Sequence, residues 1–372
     1  MKKASSLFII LLIVFSACKK NTTTLLPVGG YDTKYAKGFT VDRYQDYTLI
    51  KVTDPWDTLK ILQTYILVDR EKKVPENLPS GTVVKIPVQS AVAYSTIHCS
   101  SLNEIGALDI IKGVCESEYV GIDEIQRRIK NKTIIDVGQG ANPDIEKILM
   151  LEPEVIFTTP LSGQSYGQIE KTKIPLIETP DYMETEPLGR AEWIRFYSLF
   201  VGKESFADSI FNITVTNYNN IKNIVSQATF KPSVFTDTRY QSNWNTPGGK
   251  SFLSNMLVDA GANYIWKDNE STSFMPLPFE EVLDKAGDAD FWLIKYYSEK
   301  GDMTYESLKK EYMPYSYFKA YKEQKIYGCN TAVKNYYEDL PIHPEYILRD
   351  FAYIFHPDLF PDYEPQYYTK ID

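Results

Sequence analysis

Asn142-Pro143-Asp144-Ile145-Glu146-Lys147-Ile148-Leu149-Met150-Leu151-Glu152-Pro153-Glu154-Val155-Ile156 reads as a capped helix running into a strand. Asp144 stands where a helix N-cap is wanted, and Glu146 falls in the first turn, where the backbone dipole favours an anion. Leu277-Pro278-Phe279-Glu280-Glu281-Val282-Leu283-Asp284-Lys285-Ala286-Gly287-Asp288-Ala289-Asp290-Phe291-Trp292 repeats the plan, with Glu280 in its first turn. One plan used twice in a chain of 372 residues argues for two similar α/β lobes.

Around the first copy, short apolar strands alternate with helices. Ala91–Tyr94, Thr133–Val137, Val155–Phe157 and Pro175–Glu178 are strand-like, with helical patterns at 99–108 and 144–151, which predicts a parallel sheet. Upstream, the runs at 47–52, 64–68 and 82–86 predict an antiparallel meander. From Phe206 the apolar positions Ala207, Ile210, Phe211, Val215, Tyr218, Ile221 and Val225 follow three-four spacing, a long amphipathic helix. At 1.5 Å per residue it spans about 33 Å, a domain's width. After Pro232 a second set begins: strands at 233–236, 291–294 and 326–327, and helices at 253–260, 280–285 and 344–355. The expected fold is therefore α/β, with two lobes, each a mainly parallel sheet flanked by helices, joined by one long rigid helix with a ligand cleft between them. The boundaries are a signal peptide at 1–17, a tether at 18–36, an N-terminal lobe at 37–190, a connecting helical segment at 191–228 and a C-terminal lobe at 229–372. A rigid connector implies a cleft that opens and closes little.

Lys2-Lys3, the apolar run Leu7–Phe15 and Ser16-Ala17-Cys18 have the layout of a secretory signal, too short to span a bilayer. Small residues directly before Cys18 resemble the bacterial lipobox. That resemblance implies cleavage before Cys18, a lipid on its sulfur, and a membrane-anchored lipoprotein in the periplasm of a Gram-negative bacterium. Cys99, Cys115 and Cys329 are an odd number beside apolar residues, better read as buried thiols than as a disulfide framework.

Charge and motifs exclude several classes. With 40 basic and 49 acidic residues the net charge is -9, which disfavours nucleic acid as a partner. His98, His343 and His356 are the three histidines, widely spaced, so no zinc site and no resident metal or cofactor is expected. His98 reads as a core or capping histidine and His356 as a helix-end cap. Gly163-Gln164-Ser165-Tyr166-Gly167 matches the nucleophile-elbow spacing, but Pro160 and four neighbours separate it from the strand, so a Gly-rich cleft loop is the better reading. A serine hydrolase using Ser165 remains the enzymatic alternative to a binding protein. Gly248-Gly249-Lys250-Ser251 lacks the first glycine of a phosphate-binding loop, its place being taken by Trp244. The 28 tyrosines fit either dense packing or an aromatic ligand surface.

On Asp144, Glu146, Ile148, Leu151, Pro153 and Ile156, on Glu280, Val282 and Leu283, and on Leu257-Val258-Asp259-Ala260-Gly261-Ala262-Asn263, the chain resembles the binding proteins of ABC importers for ferric siderophores and vitamin B12. The resemblance covers about residues 85–355. In the second copy Gly287-Asp288 replaces the family's proline. Asp181-Tyr182-Met183-Glu184, Pro187–Trp193 and Tyr327-Gly328-Cys329-Asn330 look like phrases of tyrosine-rich lipoproteins in the same group. The resemblance implies a monomer that delivers a metal chelate to a permease dimer with its ATPase, docking through Glu146 and Glu280. It also implies a ligand held between the lobes by loops at strand C-terminal ends. Those loops place Ser95, Thr96, Gln139 and Tyr166 on one side and Arg239, Tyr240, Trp244, Phe274, Tyr296 and Asn330 on the other. Arg239 would pair with ligand oxygens, while Tyr240 and Trp244 would supply rigid contact area. A ferric siderophore is the expected ligand, with cobalamin or haem as alternatives on the same fold. Haem would need an axial ligand such as His98 or a cleft tyrosine.

Overall fold

The structure, a computed structural model, describes residues 26–31 and 33–372. The signal peptide and the lipidation site expected at Cys18 lie outside the described residues. The chain opens with a five-stranded sheet of β1 (Gly29–Tyr31), β2 (Phe39–Arg43), β3 (Thr48–Thr53), β4 (Ile61–Asp69) and β5 (Thr82–Ile86), in that spatial order. Of the three runs expected to form an antiparallel meander, β3 and β4 pair antiparallel but β5 runs parallel to β4; β1 and β2 extend the antiparallel part. Residues 70–81 are long enough to carry the chain back to the starting end of β4, which a tight hairpin cannot do.

The N-terminal lobe proper contains β6 (Ala91–Ala93), α1 (Thr96–Glu104), β7 (Ile111–Val114), α2 (Asp123–Lys130), β8 (Ile135–Asp136), the short hairpin β9 (Gly138–Gln139) and β10 (Asn142–Pro143), α3 (Ile145–Leu151), β11 (Val155–Thr158) and β12 (Leu176–Glu178). Its sheet has the order β12-β11-β6-β7-β8 and is parallel throughout. All four residues of β11 are buried, as expected of a strand covered on both faces. Asp144 caps α3 by accepting the Lys147 N–H at 3.1 Å.

The connector is two helices, α4 (Pro187–Val201) and α5 (Glu204–Val225), rather than one. Gly202 adopts φ +67° and ends α4. α4 is buried on nearly every face, so it shows no apolar stripe of the kind that reveals α5. In α5 the buried positions Ala207, Phe211, Thr214, Tyr218, Ile221 and Val225 alternate steps of four and three.

The C-terminal lobe contains β13 (Ser233–Thr236), β14 (Arg239–Tyr240), β15 (Asn243–Pro247), α6 (Phe252–Asp259), β16 (Asn263–Tyr264), β17 (Phe274–Leu277), α7 (Phe279–Ala286), β18 (Phe291–Tyr296), α8 (Tyr305–Glu311), α9 (Lys319–Lys322), β19 (Ile326–Asn330), α10 (Tyr336–Asp339), α11 (Pro344–Phe355) and β20 (Thr369–Lys370). The main sheet, β16-β13-β18-β19-β20, is parallel except for β20, and β14-β15-β17 form a small antiparallel sheet beside it. Its core is an aromatic stack: Phe235 lies 5.0 Å from Trp292 and 4.9 Å from Phe318, and Trp292 meets Tyr315 edge-on at 5.4 Å. Phe39, Trp193, Phe196 and Phe200 form the counterpart in the first lobe. Much of the aromatic surplus is therefore packing.

Two buried carboxylates fix the entry of the chain. Glu192 accepts the backbone N–H groups of Lys34, Tyr35 and Ala36 at 2.7–3.0 Å. Glu184 accepts those of Lys37 and Gly38 at 2.8 Å and the indole N–H of Trp193 at 3.1 Å. Five successive amides that no strand or helix satisfies are thus paired inside the protein.

Candidate ligand cleft

A cavity of about 590 Å³ opens between the lobes. Its N-terminal wall is the turn after β12, with Tyr182 and Glu184, and the first turn of α4, with Arg190. Its C-terminal wall comes from Phe252 at the start of α6, Phe274 at the start of β17, Lys295 near the end of β18, and Tyr336 and Tyr337 on α10. Two cations face this aromatic lining. The Lys295 ammonium sits 5.5 Å from the Tyr336 ring and 5.9 Å from the Tyr337 ring, and the Arg190 guanidinium 5.3 Å from the Phe252 ring. Burial alone would pull Lys295 down, but the nearby Asp237 carboxylate and the two tyrosines outweigh it and hold the ammonium above the usual lysine value. Burial lowers Arg190, with Asp181 partly offsetting it; burial pushes Asp181 itself up to about 6. The Arg190 Nε and Asp181 Oδ1 are both buried without a hydrogen-bond partner, a polar reserve at the cavity's edge.

Two further hollows are smaller. One of about 390 Å³ shares Phe274 and Lys295 with it and adds Asp237 and Asn245. The other, about 260 Å³, lies in the N-terminal lobe between Ser95, Glu116, Thr158 and Tyr166. The arrangement suits an anionic, partly aromatic solute held between cations and ring faces.

The predicted ligand residues divide. Phe274 borders the main cavity, and Ser95 and Tyr166 border the N-terminal hollow, where the Tyr166 hydroxyl donates to Glu178 at 2.9 Å. Trp244 is 0 % exposed and donates to the Thr236 carbonyl at 2.8 Å; its side of β15 faces the core, so it cannot touch a solute. Asn330 is buried and occupied with Ser298. The Arg239 guanidinium lies on the Tyr312 ring at 4.1 Å, and Tyr240 beside it is exposed; neither borders these cavities. Gln139 is exposed on β9. Thr96 bridges the lobes, donating to Glu338 at 3.2 Å. Tyr296 donates to Asp302 at 3.2 Å. Strand alternation puts Lys295 and Tyr296 on opposite faces of β18, so the strand-end rule came within one residue of the cavity's lysine. Arg190 and Tyr182 lie in the very phrases, 181–184 and 187–193, that stood out in the sequence without an assigned role.

Ser165 is exposed and donates to Glu170 at 2.9 Å, not to a histidine. His343 is engaged by Glu104 and Glu345, each at 3.3 Å, and His356 by the Gly261 carbonyl at 3.3 Å. His98 is buried, with Nδ1 3.1 Å from the Ser95 hydroxyl and Nε2 3.0 Å from the Thr179 hydroxyl. Burial holds His98 down to about 3, and with no exposed surface and both ring nitrogens engaged it is a neutral core residue that borders none of these cavities. Cys99, Cys115 and Cys329 are buried free thiols. Among the described residues no cluster of three or more His, Cys, Asp or Glu side chains is arranged to hold a metal ion, and no helix is long and apolar enough to cross a membrane. Glu146 and Glu280 are both exposed in the first turns of α3 and α7.

Two sheet-bearing lobes with a solute-sized cavity between them define a class of binding protein. The model of the family described as "periplasmic binding protein" matches residues 99–332, and the chain belongs to that family. An uncharacterized lipoprotein of Methanocaldococcus jannaschii is 24% identical over 375 residues, covering 95% of this chain and 86% of its own. A second uncharacterized lipoprotein of that organism is 24% identical, with 99% and 98% covered. A periplasmic heme-binding protein from Pseudomonas aeruginosa shares the fold with a TM-score of 0.58 at 15% identity, covering 77% of this chain and 98% of its own. An ABC-type Fe3+-hydroxamate transport protein from Saccharomonospora viridis does so at 0.56 and 15%, with 73% and 94% covered. Membership makes the chain a binding protein of the periplasmic type. The curated relatives are archaeal, so they lend no support to the Gram-negative host expected from the lipobox.

Proposed function

We propose that this chain captures an anionic metal chelate, a ferric siderophore, between its lobes and passes it to an ABC importer while tethered to the membrane through a lipid on Cys18. The observation that carries the reading is the inter-lobe cavity, in which Lys295 and Arg190 are set among Tyr182, Phe252, Phe274, Tyr336 and Tyr337. Guanidinium and ammonium groups pair with catecholate, hydroxamate or carboxylate oxygens, and the rings cover the chelate's flat faces. Glu146 and Glu280 then serve as the docking carboxylates, on separate lobes and free to meet basic groups of the permease.

Calorimetric titration of the full chain with ferric catecholate, ferric hydroxamate, cobalamin and haem tests the reading. A ferric siderophore should bind, and Lys295→Met should weaken it at least tenfold with the unfolding midpoint kept. Binding of none of the four, or indifference to Lys295→Met, would sink it. Haem is the second reading, favoured by the three tyrosines on one cavity, since a phenolate can ligate haem iron. Tighter binding of haem than of either siderophore, lost in Tyr337→Phe or Tyr336→Phe, would establish it instead.

A further inference from the structure

α3 and α7 match position for position. Glu146, Ile148, Leu149 and Met150 correspond to Glu280, Val282, Leu283 and Asp284. Ile148 and Val282 are both fully buried, so each helix is rotated the same way on its lobe. At about 100° per residue, the positions three and four after each glutamate flank it on the outward face. On α3 those positions are Leu149, 49% exposed, and Met150, 84% exposed. On α7 they are Leu283, half-buried against the C-lobe core, and Asp284, exposed. Glu281 beside them is paired with Lys285 at 2.9 Å. One tip therefore presents a carboxylate beside bare apolar side chains, and the other presents charged side chains, three carboxylates and the Lys285 ammonium, with no bare apolar one beside them.

Leu149 and Met150 do nothing for the core, which Ile148 already serves from the same helix. Adjacent to a docking carboxylate, an exposed thioether and isobutyl group have the composition of an interface centre, where Met is enriched and apolar anchors carry the affinity. We infer that Leu149 and Met150 are an apolar anchor in the contact between the N-terminal lobe and the permease, so that the chain docks in one orientation. The N-terminal tip seats in an apolar recess beside a basic group, and the C-terminal tip meets basic groups only. This rests on the proposed permease partnership. It divides the labour kinetically, with the apolar tip governing dissociation and the acidic tip governing salt-sensitive approach.

A benzophenone amino acid placed at position 150 of the full-length chain in its host should cross-link to an ABC permease subunit. The same probe at Leu59, exposed on the β3–β4 loop at the far end of β4 from the Arg70–Glu154 pair that follows α3, should not. With that permease and its ATPase in lipid nanodiscs, the Leu149→Ala/Met150→Ala chain should dissociate at least tenfold faster at low and high salt alike. Glu280→Gln should instead slow association and flatten its salt dependence. Both apolar side chains are exposed, so the unfolding midpoint and ligand affinity of the double variant should not change. Wild-type dissociation of the double variant, while Glu146→Gln weakens docking, would overturn the anchor and leave the partnership standing. A cross-link to a different protein, or no effect of any of the three variants, would overturn the partnership itself.

Discussion

Glu192 is fully buried and accepts from three consecutive amides and from Arg195 at 2.9 Å. Its truncation would leave those donors unpaired in the interior, where each costs about 1–3 kcal/mol. Glu192→Ala should therefore lower the free energy of unfolding by about 3 kcal/mol or more in urea titration, and Glu192→Gln, which keeps an acceptor oxygen, by less. Gly261 invites a second substitution. With φ +84°, an added Cβ would sit 2.4 Å from the Val225 Cγ1 and 2.5 Å from the His356 Nε2. Gly261→Ala should cost about 1–3 kcal/mol by the same measurement, through left-handed strain and overpacking together. The glycine's place at the end of a helix was legible in the sequence, because left-handed caps have a residue signature. The use of Glu184 and Glu192 was not. A buried acid looks like a surface acid in sequence, and only the fold reveals the amides that justify burying it.

α10 is an element of four residues with two faces and two tasks. Tyr336 and Tyr337 line the cavity, while Glu338 accepts the Gly121 N–H at 2.9 Å and the Thr96 hydroxyl at 3.2 Å from the other lobe. Close by, His343 lies between Glu104 on α1 and Glu345 on α11. Burial alone would lower His343, but the two carboxylates outweigh it and raise the imidazole to about 9. A folded value above the unfolded 6.5 stabilises the native state fully below pH 6.5, and the gain fades as pH climbs through 9. The denaturation midpoint should consequently fall between pH 6.5 and 9.5, and His343→Gln should flatten that slope. His98 and His356, which burial lowers, act only below about 6.5 and leave this window clear. Elements with a clear period or a cap, such as α5, α3 and α11, could be placed from sequence. α4 is buried on nearly every face and so shows no stripe, α10 is a single turn, and the two-residue strands β14 and β16 carry no period at all, so none of these could be placed as elements.

At the scale of the whole molecule, the lobes are joined by more than their connector. The two bonds to Glu338, the Glu104–His343 pair and the bond from the Asn255 amide to the Thr185 carbonyl at 2.9 Å all cross the junction. A large swing would break every one of them. Small-angle scattering should accordingly give the same radius of gyration with and without ligand, and a clear contraction on loading would contradict this. The two-lobe plan followed from one repeated helix-strand phrase, whereas the cavity is built by side chains from six separated segments that only the fold brings together. The aromatic cores have an optical consequence. Trp193, Trp244, Trp266 and Trp292 are buried, Trp56 is half-exposed on the β3–β4 loop, and none borders the cavities described. Contact with a solute therefore leaves the indoles untouched, and emission can change only by energy transfer to something that absorbs. Ferric chelates, haem and cobalamin would dim the protein, and the metal-free chelator could bind in the dark.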